Sequence, residues 1–201
     1  MQRVFAVRVG DKYGPHYEDY INSKIPNVTW IKEEVVGPRQ WNKLYPMSLD
    51  IDEPVVVIDI DMMFINNYMD AINYPIKRGE FLAAKSWWRD TPNKNYSIQG
   101  GFQKYYPKQK ITIPGMGEQY FVEDMARQNL VIKHLPDSWI TRWQNQMTQK
   151  LVVDLNHHYP DDWLHLGQKF YQQVRLVHFL DQESLDKEKL EALANSEPFL
   201  T

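Results

Sequence analysis

Two aspartates, Asp59 and Asp61, stand at the far end of the apolar segment VVVIDIDMMFI at positions 55–65. Valine, isoleucine and phenylalanine at this density predict a buried strand that is covered on both faces. An unpaired charge in such a place costs roughly several kcal/mol unless a cation compensates it. Because residues two apart on a strand point to the same side, both carboxylates are expected to aim at one point beyond the strand's end. A divalent metal would be held in this way, and oxygen ligands favour Mg²⁺ or Mn²⁺.

A histidine late in the chain is a candidate third ligand. His178 lies near the end of VRLVHFL, another apolar, β-like segment. Alone, a histidine in such a segment is more often a packed core residue. Together with Asp59 and Asp61 it would complete a metal site, and a nitrogen ligand favours Mn²⁺.

The spacing of apolar residues predicts strands that alternate with helices in the first half of the chain. The predicted strands are RVFAVRVG, NVTWIKEEVV, VVVIDI, FLAAKSWW, VIKHLP and VRLVHFL. The predicted helices are PHYEDYINSKI, PRQWNKLYPMSL (ending near Pro46), a short one around NNYMDAINYP, EQYFVEDMARQNL and the charged DKEKLEALAN. Segment 89–117 is rich in Pro, Gly, Asn and Tyr, which predicts loop with short strands. The alternation predicts an α/β fold with a mixed, mainly parallel sheet flanked by helices, whose ligands bind beyond the carboxyl ends of the strands.

Composition narrows the class of protein. A length of 201 residues suits a single domain with a substantial core. A net charge of −3 gives no global electrostatic case for binding nucleic acid, and zero cysteines exclude disulfides and thiolate chemistry. We expect no membrane span and no signal peptide, and a cytoplasmic location fits best. The seven tryptophans, twelve tyrosines and eight phenylalanines are platforms for sugars and bases, or simply core and surface residues.

Two glycine-containing segments are candidates for ligand contact. In VGDKYG, which ends the first strand, Asp11 and Tyr13 could bind and stack on a nucleobase, although the glycines also suit an ordinary turn. In YSIQGGF, Gly100 and Gly101 follow Gln99 and would let the backbone approach a ligand, or permit a tight bend.

The segment GEQYFVED contributes acids to the start of a predicted helix. Glu118, Glu123 and Asp124 favour the helix dipole there, and they could equally orient a hydroxyl nucleophile or accept its proton.

In this order the segments resemble glycosyltransferases of the GT-A fold, most closely the group of glycogenin and the bacterial lipopolysaccharide galactosyltransferases. VGDKYG is similar to the nucleotide-binding turn of that group, VIDIDMMF to its metal-binding D-x-D strand, and YSIQGGF to a Phe-Asn-Ser-Gly-Val segment that contacts the donor sugar. GEQYFVE resembles an Asp-Gln helix start, HLPDSWITRW a Leu-Pro…Trp-Asn segment, and LVHFLD the late metal-binding histidine. The six segments span residues 4 to 180, and small viral and phage-encoded glycosyltransferases are similarly short. The chain departs from the group at Gln99-Gly100-Gly101 and at Glu118.

The resemblance implies transfer of a sugar from a nucleotide-sugar, a UDP-sugar, to a hydroxyl of a glycan, lipid-linked or protein-linked acceptor. It implies Mn²⁺ (or Mg²⁺) bound by Asp59, Asp61 and His178. The implied nucleotide-sugar contacts are Val9, Asp11, Tyr13, Arg39, Lys43, Asp59, Ile60, Gln99, Gly100 and Gly101. Residues 1–65 would form the nucleotide-binding half, 66–180 the half for the donor sugar and acceptor, and 181–201 a peripheral helix.

The implied stereochemistry is retention, with Gln119 near the reacting carbon and Glu118 beside it. An inverting enzyme would instead need a carboxylate base, which Glu123 or Asp124 could provide.

Six further side chains each have two interpretations. Lys43 and Arg39 could add positive charge near the phosphates or lie on a solvated helix face, and Trp87, Trp88, Tyr105 and Tyr106 could line the cleft or pack in the core.

Two other classes of protein remain open from the sequence. A haloacid-dehalogenase-type phosphatase also ends a strand in D-x-D and uses the first aspartate as nucleophile. Its D-x-D lies on the first strand, however, and the pair Asp161–Asp162 follows HHYP rather than an apolar strand. A non-catalytic carbohydrate-binding domain would suit the aromatic content but would not need a nucleotide-binding turn.

Overall fold

The computed structural model describes residues 2–64, 67–85, 98–108, 130–136, 139–142 and 174–178. Its strands are β1 (Arg3–Val7), β2 (Val28–Ile31), β3 (Val55–Ile58), β4 (Met62–Phe64), β5 (Glu80–Lys85), β6 (Ile98–Tyr105), β7 (Val131–His134), β8 (Ile140–Arg142) and β9 (Leu176–His178). Its helices are α1 (Pro15–Lys24), α2 (Met69–Asn73) and a 3₁₀ helix, Arg39–Ser48.

Six strands form a mixed sheet in the order β2-β1-β3-β6-β5-β7. The pairs β1–β2, β1–β3 and β5–β7 are parallel, whereas β6 runs antiparallel to both β3 and β5. Because Ala6 pairs with Ile58 near the ends of β1 and β3, the segments that follow these two strands leave the sheet at the same edge. The predicted α/β fold with a mixed, mainly parallel sheet is confirmed.

Three short strands form a second sheet in the order β4-β9-β8. In this sheet β9 runs antiparallel to β4 and parallel to β8, and Met62 pairs with His178. The second sheet therefore carries the late histidine to the residue that directly follows the D-x-D segment.

Both faces of the large sheet are buried, as the apolar composition of β3 predicts. Alternate residues of each strand enter opposite clusters: Val4, Val56 and Leu82 on one face, and Phe5, Val57 and Phe81 on the other. The first cluster also contains the apolar residues of the second sheet and of α1. The second is closed by Leu44 and Met47 of the 3₁₀ helix, both fully buried.

The predicted strand through Asp59 and Asp61 is too long. β3 ends at Ile58, and Ile60 and Asp61 form a turn that leads into β4 of the second sheet. The chain leaves the sheet here because its partner β1 pairs no further than Ala6, opposite Ile58. Strand alternation therefore does not explain how the two carboxylates converge.

The prediction of loop with short strands is wrong for residues 98–105, which form the eight-residue strand β6 between β3 and β5. Gly100 and Gly101 mark an irregularity in this strand rather than a loop. Adjacent residues Ala83 and Ala84 of β5 pair with Gln103 and Gln99 of β6, so three residues of β6 bulge out between them. Such bulges re-aim side chains and are frequent beside functional sites.

Other predicted elements differ in length. β2 ends at Ile31 instead of continuing through KEEVV, whose lysine, glutamates and first valine are exposed. The 3₁₀ helix continues past Pro46 to Ser48, and β8 has no counterpart among the predicted strands. The predicted helix 118–130, apart from Leu130, and the predicted helix 186–195 lie outside the described residues.

Candidate metal centre

The turn after β3 brings Asp59 and Asp61 to the carboxyl edge of the large sheet. Asp59 donates its backbone N–H to the carbonyl of Gly101, at 2.9 Å, in the bulge of β6. Asp61 is buried, with 7% of its surface exposed, just before β4 begins. The bulge and the turn thus fix the two backbones from which the carboxylates extend.

His178 reaches both carboxylates from the second sheet. Its Nε2 lies 3.2 Å from Asp59 Oδ2 and 3.2 Å from Asp61 Oδ1. One ligand atom from each of the three residues lies within 4.8 Å of the other two. In the described part of the chain this is the one group of three such residues close enough to hold a metal ion.

The three side chains fit a divalent ion. Neighbouring ligands of an octahedral ion, each at about 2.1 Å from it, lie about 3 Å apart. The two distances from Nε2 to the carboxylates match this separation. Two carboxylates and one imidazole are a donor set that suits Mn²⁺ and also accepts Mg²⁺.

Lys43 of the 3₁₀ helix forms an ion pair with Asp59 Oδ1. Both side chains are mostly buried, with 12% and 13% of their surfaces exposed, so the interpretation of Lys43 as part of a solvated face is wrong. Burial tends to raise the pKa of Asp59, but Lys43 and His178 outweigh it and hold that pKa far below its ordinary value. Asp59 therefore stays ionised at any ordinary pH.

The charge on His178 depends on the same carboxylates. Burial tends to lower the pKa of His178, but hydrogen bonds and attraction from Asp59 and Asp61 raise it to about 9. At neutral pH two cationic side chains, Lys43 and His178, then balance two carboxylates. A divalent cation that binds Nε2 must replace the proton of His178.

Asn42, the residue before Lys43 in the 3₁₀ helix, is fully buried. The Asn42 side-chain oxygen accepts from the N–H groups of Val35 and Val36, at 2.7 and 3.1 Å. Its side-chain nitrogen donates to the carbonyls of Gly37 and Arg39, at 2.7 and 2.8 Å. All four hydrogen-bonding positions of this amide are thereby used to fix the loop that precedes the helix and the first turn of the helix.

The predicted nucleotide-binding turn lies at the same edge of the sheet. Gly10 adopts φ +80°, a left-handed conformation that favours glycine. The Arg8 side chain ties the turn together, because its Nε donates to the carbonyl of Tyr13 at 2.9 Å and its guanidinium pairs with Glu18 at 2.5 Å. Asp11 is exposed at the tip of the turn, where it is accessible to a ligand.

Tyr13 is half-buried and has contacts of its own. Its ring meets the ring of Tyr17 edge-on, with 5.1 Å between centroids, and the Lys12 ammonium lies over it at 5.1 Å. These contacts orient the ring at the end of β1 without enclosing it.

The other residues predicted to contact the nucleotide-sugar or line its cleft differ in how deeply they are buried. Ile60 packs in the core, and Val9 packs partly against the second cluster. Arg39 is exposed and has a positive φ of 49°. Tyr105 is fully buried and stacks on Phe81 at 5.5 Å, which confirms its core interpretation.

Part of the predicted site lies outside the described residues. This applies to the predicted catalytic residues Glu118, Gln119, Glu123 and Asp124, and to Trp87 and Trp88. Two features of the described site have no sequence signal: the Gln99–His178 contact, at 2.6 Å, and the pairing of Glu18 with both Arg8 and Lys32. Both join residues from different elements, which no spacing in the sequence relates.

The architecture is that of glycosyltransferases with a GT-A fold. No family model matches the sequence, and neither does any curated protein. Among solved structures, the apo form of the glycosyltransferase GlyE from Streptococcus pneumoniae TIGR4 aligns with a TM-score of 0.54 at 12% identity, covering 98% of this chain and 61% of GlyE. This chain thus spans about three-fifths of the length of GlyE.

Two further solved structures share the fold. An active-site mutant of LgtC aligns with a TM-score of 0.52 at 10% identity over 97% of this chain and 96% of LgtC. The bifunctional glycosyltransferase WbbM aligns with a TM-score of 0.52 at 11% identity over 96% of this chain and 50% of its own. LgtC is also described as a galactosyltransferase in complex with donor and acceptor sugar analogues. At these identities the likeness establishes the fold, and the activity must be argued from the site.

Proposed function

We propose that this protein is a metal-dependent glycosyltransferase that moves a sugar from a UDP-sugar to a hydroxyl of a glycan or glycoconjugate, with retention. The observation that carries the proposal is the convergence of Asp59, Asp61 and His178 at the carboxyl edge of a glycosyltransferase-type sheet. Ligands of such sheets bind at this edge.

The leaving group explains why this edge would need positive charge. Breaking the glycosidic bond leaves negative charge on the nucleoside diphosphate. Mn²⁺ or Mg²⁺ held by the three ligands would supply Lewis-acid stabilisation of that diphosphate. Lys43 adds a mostly buried cation beside Asp59, where solvent screens its charge less than at the surface.

The turn after β1 would hold the base. Tyr13 offers a ring and Asp11 a carboxylate, at the end of the strand that lies next to β3 in the sheet. The roles of Gln119 near the reacting carbon and of Glu118, Glu123 and Asp124 near the acceptor come from the resemblance alone.

No helix in the described ranges is both long and apolar enough to cross a membrane.

The test is a thermal-shift and calorimetric comparison of UDP, GDP and CMP, each with and without Mn²⁺. We expect UDP with Mn²⁺ to stabilise the protein far more than either alone, since a ligand that binds only the folded state raises its stability. Asp61→Asn should abolish this gain. Asp52→Asn is the matched control, because Asp52 is an exposed aspartate paired with Lys108 and Arg78 and should behave as wild type.

Two results would count against the proposal. Absence of any nucleotide effect would favour a carbohydrate-binding domain. Turnover of a generic aryl phosphate that depends on Asp59 would favour a phosphatase, in which this aspartate is the nucleophile.

A further inference from the structure

The side chain of Gln99 fills the space directly behind His178. Its amide nitrogen lies 2.6 Å from His178 Nδ1, the ring nitrogen opposite the one that faces Asp59 and Asp61. The amide oxygen accepts the N–H of Gly101 at 2.9 Å. With 4% of its surface exposed, Gln99 is fixed at both ends of its carboxamide by the protein itself.

Gly101 makes this arrangement possible because it has no side chain. A Cβ at residue 101 would lie 2.7 Å from the amide nitrogen of Gln99, closer than Cβ atoms approach other atoms, and 3.0 Å from its oxygen, which is a tight contact. The backbone of Gly101 does not require glycine, since the glycines with positive φ in the described chain are Gly10 and Gly79. Glycine at this position therefore provides room for the carboxamide.

We propose that Gln99 is a positioning residue for the metal centre: clamped by Gly101, it holds the imidazole of His178 with Nε2 directed at Asp59 and Asp61. This inference rests on the proposed metal-dependent function. A histidine that binds a metal through one ring nitrogen donates the proton of the other to an oriented acceptor, and loss of that partner typically lowers metal affinity by about 10–100-fold. With a metal on Nε2, the carboxamide of Gln99 must therefore turn over, so that its oxygen accepts the Nδ1 proton instead of the N–H of Gly101.

The resemblance implies a different role for Gln99, namely contact with the donor sugar. The two roles predict different losses. A sugar contact acts only when a nucleotide-sugar is bound, whereas a residue that positions His178 acts on the metal in the absence of any nucleotide. Mn²⁺ alone is therefore the probe that separates them.

The first experiment measures Mn²⁺ affinity, without nucleotide, by the loss of the free-ion EPR signal. Gln99→Met keeps the side-chain volume but removes both hydrogen bonds, and we expect an affinity about 10–100-fold weaker. Gln99→Glu offers one oxygen to the N–H of Gly101 and the other to the Nδ1 proton without turning over, so its Mn²⁺ affinity should equal or exceed that of wild type. The matched control is Gln103→Met, which removes the other buried glutamine of β6 and should leave affinity unchanged.

A double-mutant cycle tests the clamp. Gly101→Ala should weaken Mn²⁺ binding because the new methyl group displaces the carboxamide of Gln99. In the Gln99→Ala background the same change should have no further effect, since the group it would displace is gone. Equal losses in both backgrounds would overturn the proposed clamp.

The ring nitrogens of His178 provide a readout that does not depend on metal. In protein labelled with ¹⁵N-histidine, Gln99→Met should move the Nδ1 resonance of His178, and Gln103→Met should not. An unmoved resonance, or wild-type Mn²⁺ affinity in Gln99→Met, would overturn the inference. Wild-type protein that binds no Mn²⁺ would refute the proposed metal site, and the NMR comparison would still decide whether Gln99 orients the ring.

Discussion

Two buried cationic side chains, His178 and Lys104, lie in different regions of the molecule and have opposite electrostatic environments. Lys104 donates to the carbonyls of Ile72 and Tyr74, at 2.8 and 2.7 Å, where α2 ends. Burial lowers its pKa to about 8, and no carboxylate among the described residues compensates its charge. For His178, two carboxylates outweigh burial and raise the pKa to about 9.

Lys104 and His178 differ in the chemistry of the groups that they contact. Carbonyls at a helix end are fixed by the backbone and need a donor, so Lys104 satisfies groups that would otherwise be unpaired. The partners of His178 are side-chain carboxylates that can exchange a proton for a metal ion. Similar burial thus produces a structural contact in one region and a candidate functional site in the other.

The largest expected effect comes from Lys43→Met, which alters the charge of the metal centre alone. UDP affinity in the presence of Mn²⁺ should fall about 10–100-fold, because a mostly buried cation near the diphosphate is lost. Affinity for Mn²⁺ alone should rise, because Lys43 no longer competes for Asp59. Calorimetry with each ligand separates the two effects.

The control for this variant is Lys133→Met, which removes a half-exposed lysine paired with Glu80 on an outer strand. Both affinities should stay at wild-type values there. If Lys43→Met leaves UDP binding equally unchanged, Lys43 does not face the phosphates.

The pH dependence of Mn²⁺ binding is the second prediction. Below a pKa of about 9, His178 is protonated and its proton competes with the metal, so affinity should fall about tenfold for each unit that the pH is lowered from 8 to 6. Asp59 contributes nothing to this slope because it stays ionised throughout. Calorimetry at three pH values measures the slope, and a flat profile would show that Nε2 is not a ligand.

The stability of the metal-free protein should fall as the pH rises, whereas its affinity for Mn²⁺ should rise. The folded-state pKa of His178 lies above its ordinary 6.5. Its contribution to stability is therefore complete below about pH 6.5 and is lost as the pH rises through 9.

The smallest expected effect is that of Lys104→Met, which should destabilise the fold by about 1 kcal/mol and leave Mn²⁺ affinity unchanged. Because the pKa of Lys104 is lowered from 10.5 to about 8, the penalty for burying its charge applies below pH 8 and is relieved as the pH rises to 10.5. Wild type should thus gain stability relative to the variant over this interval. Urea denaturation at pH 7.5 and 9.5 measures the gain, and an equal difference at both values would mean that Lys104 is not buried as a cation.

Much of the site could be predicted from residues near one another in sequence. The apolar residues of β3 indicate a covered strand, and acids that follow such a strand need a cation to compensate their charge. The bulge of β6 could not be predicted in this way. Gly100 and Gly101 suit a loop as well as a strand, and the choice depends on β3 and β5 pairing with both sides of the segment.

The sequence by itself determined the strand-forming apolar segments, the candidate metal ligands Asp59, Asp61 and His178, and the glycine at the turn after β1. These follow from side-chain chemistry and local backbone preference. Only the tertiary structure decided that a turn, rather than strand alternation, aims the carboxylates, that Lys43 pairs with Asp59, and that Gln99 lies behind His178. The last two contacts join different elements. Lys43 reaches Asp59 because the 3₁₀ helix packs on the face of β3, and Gln99 meets His178 because β6 pairs with β3 while β9 pairs with β4.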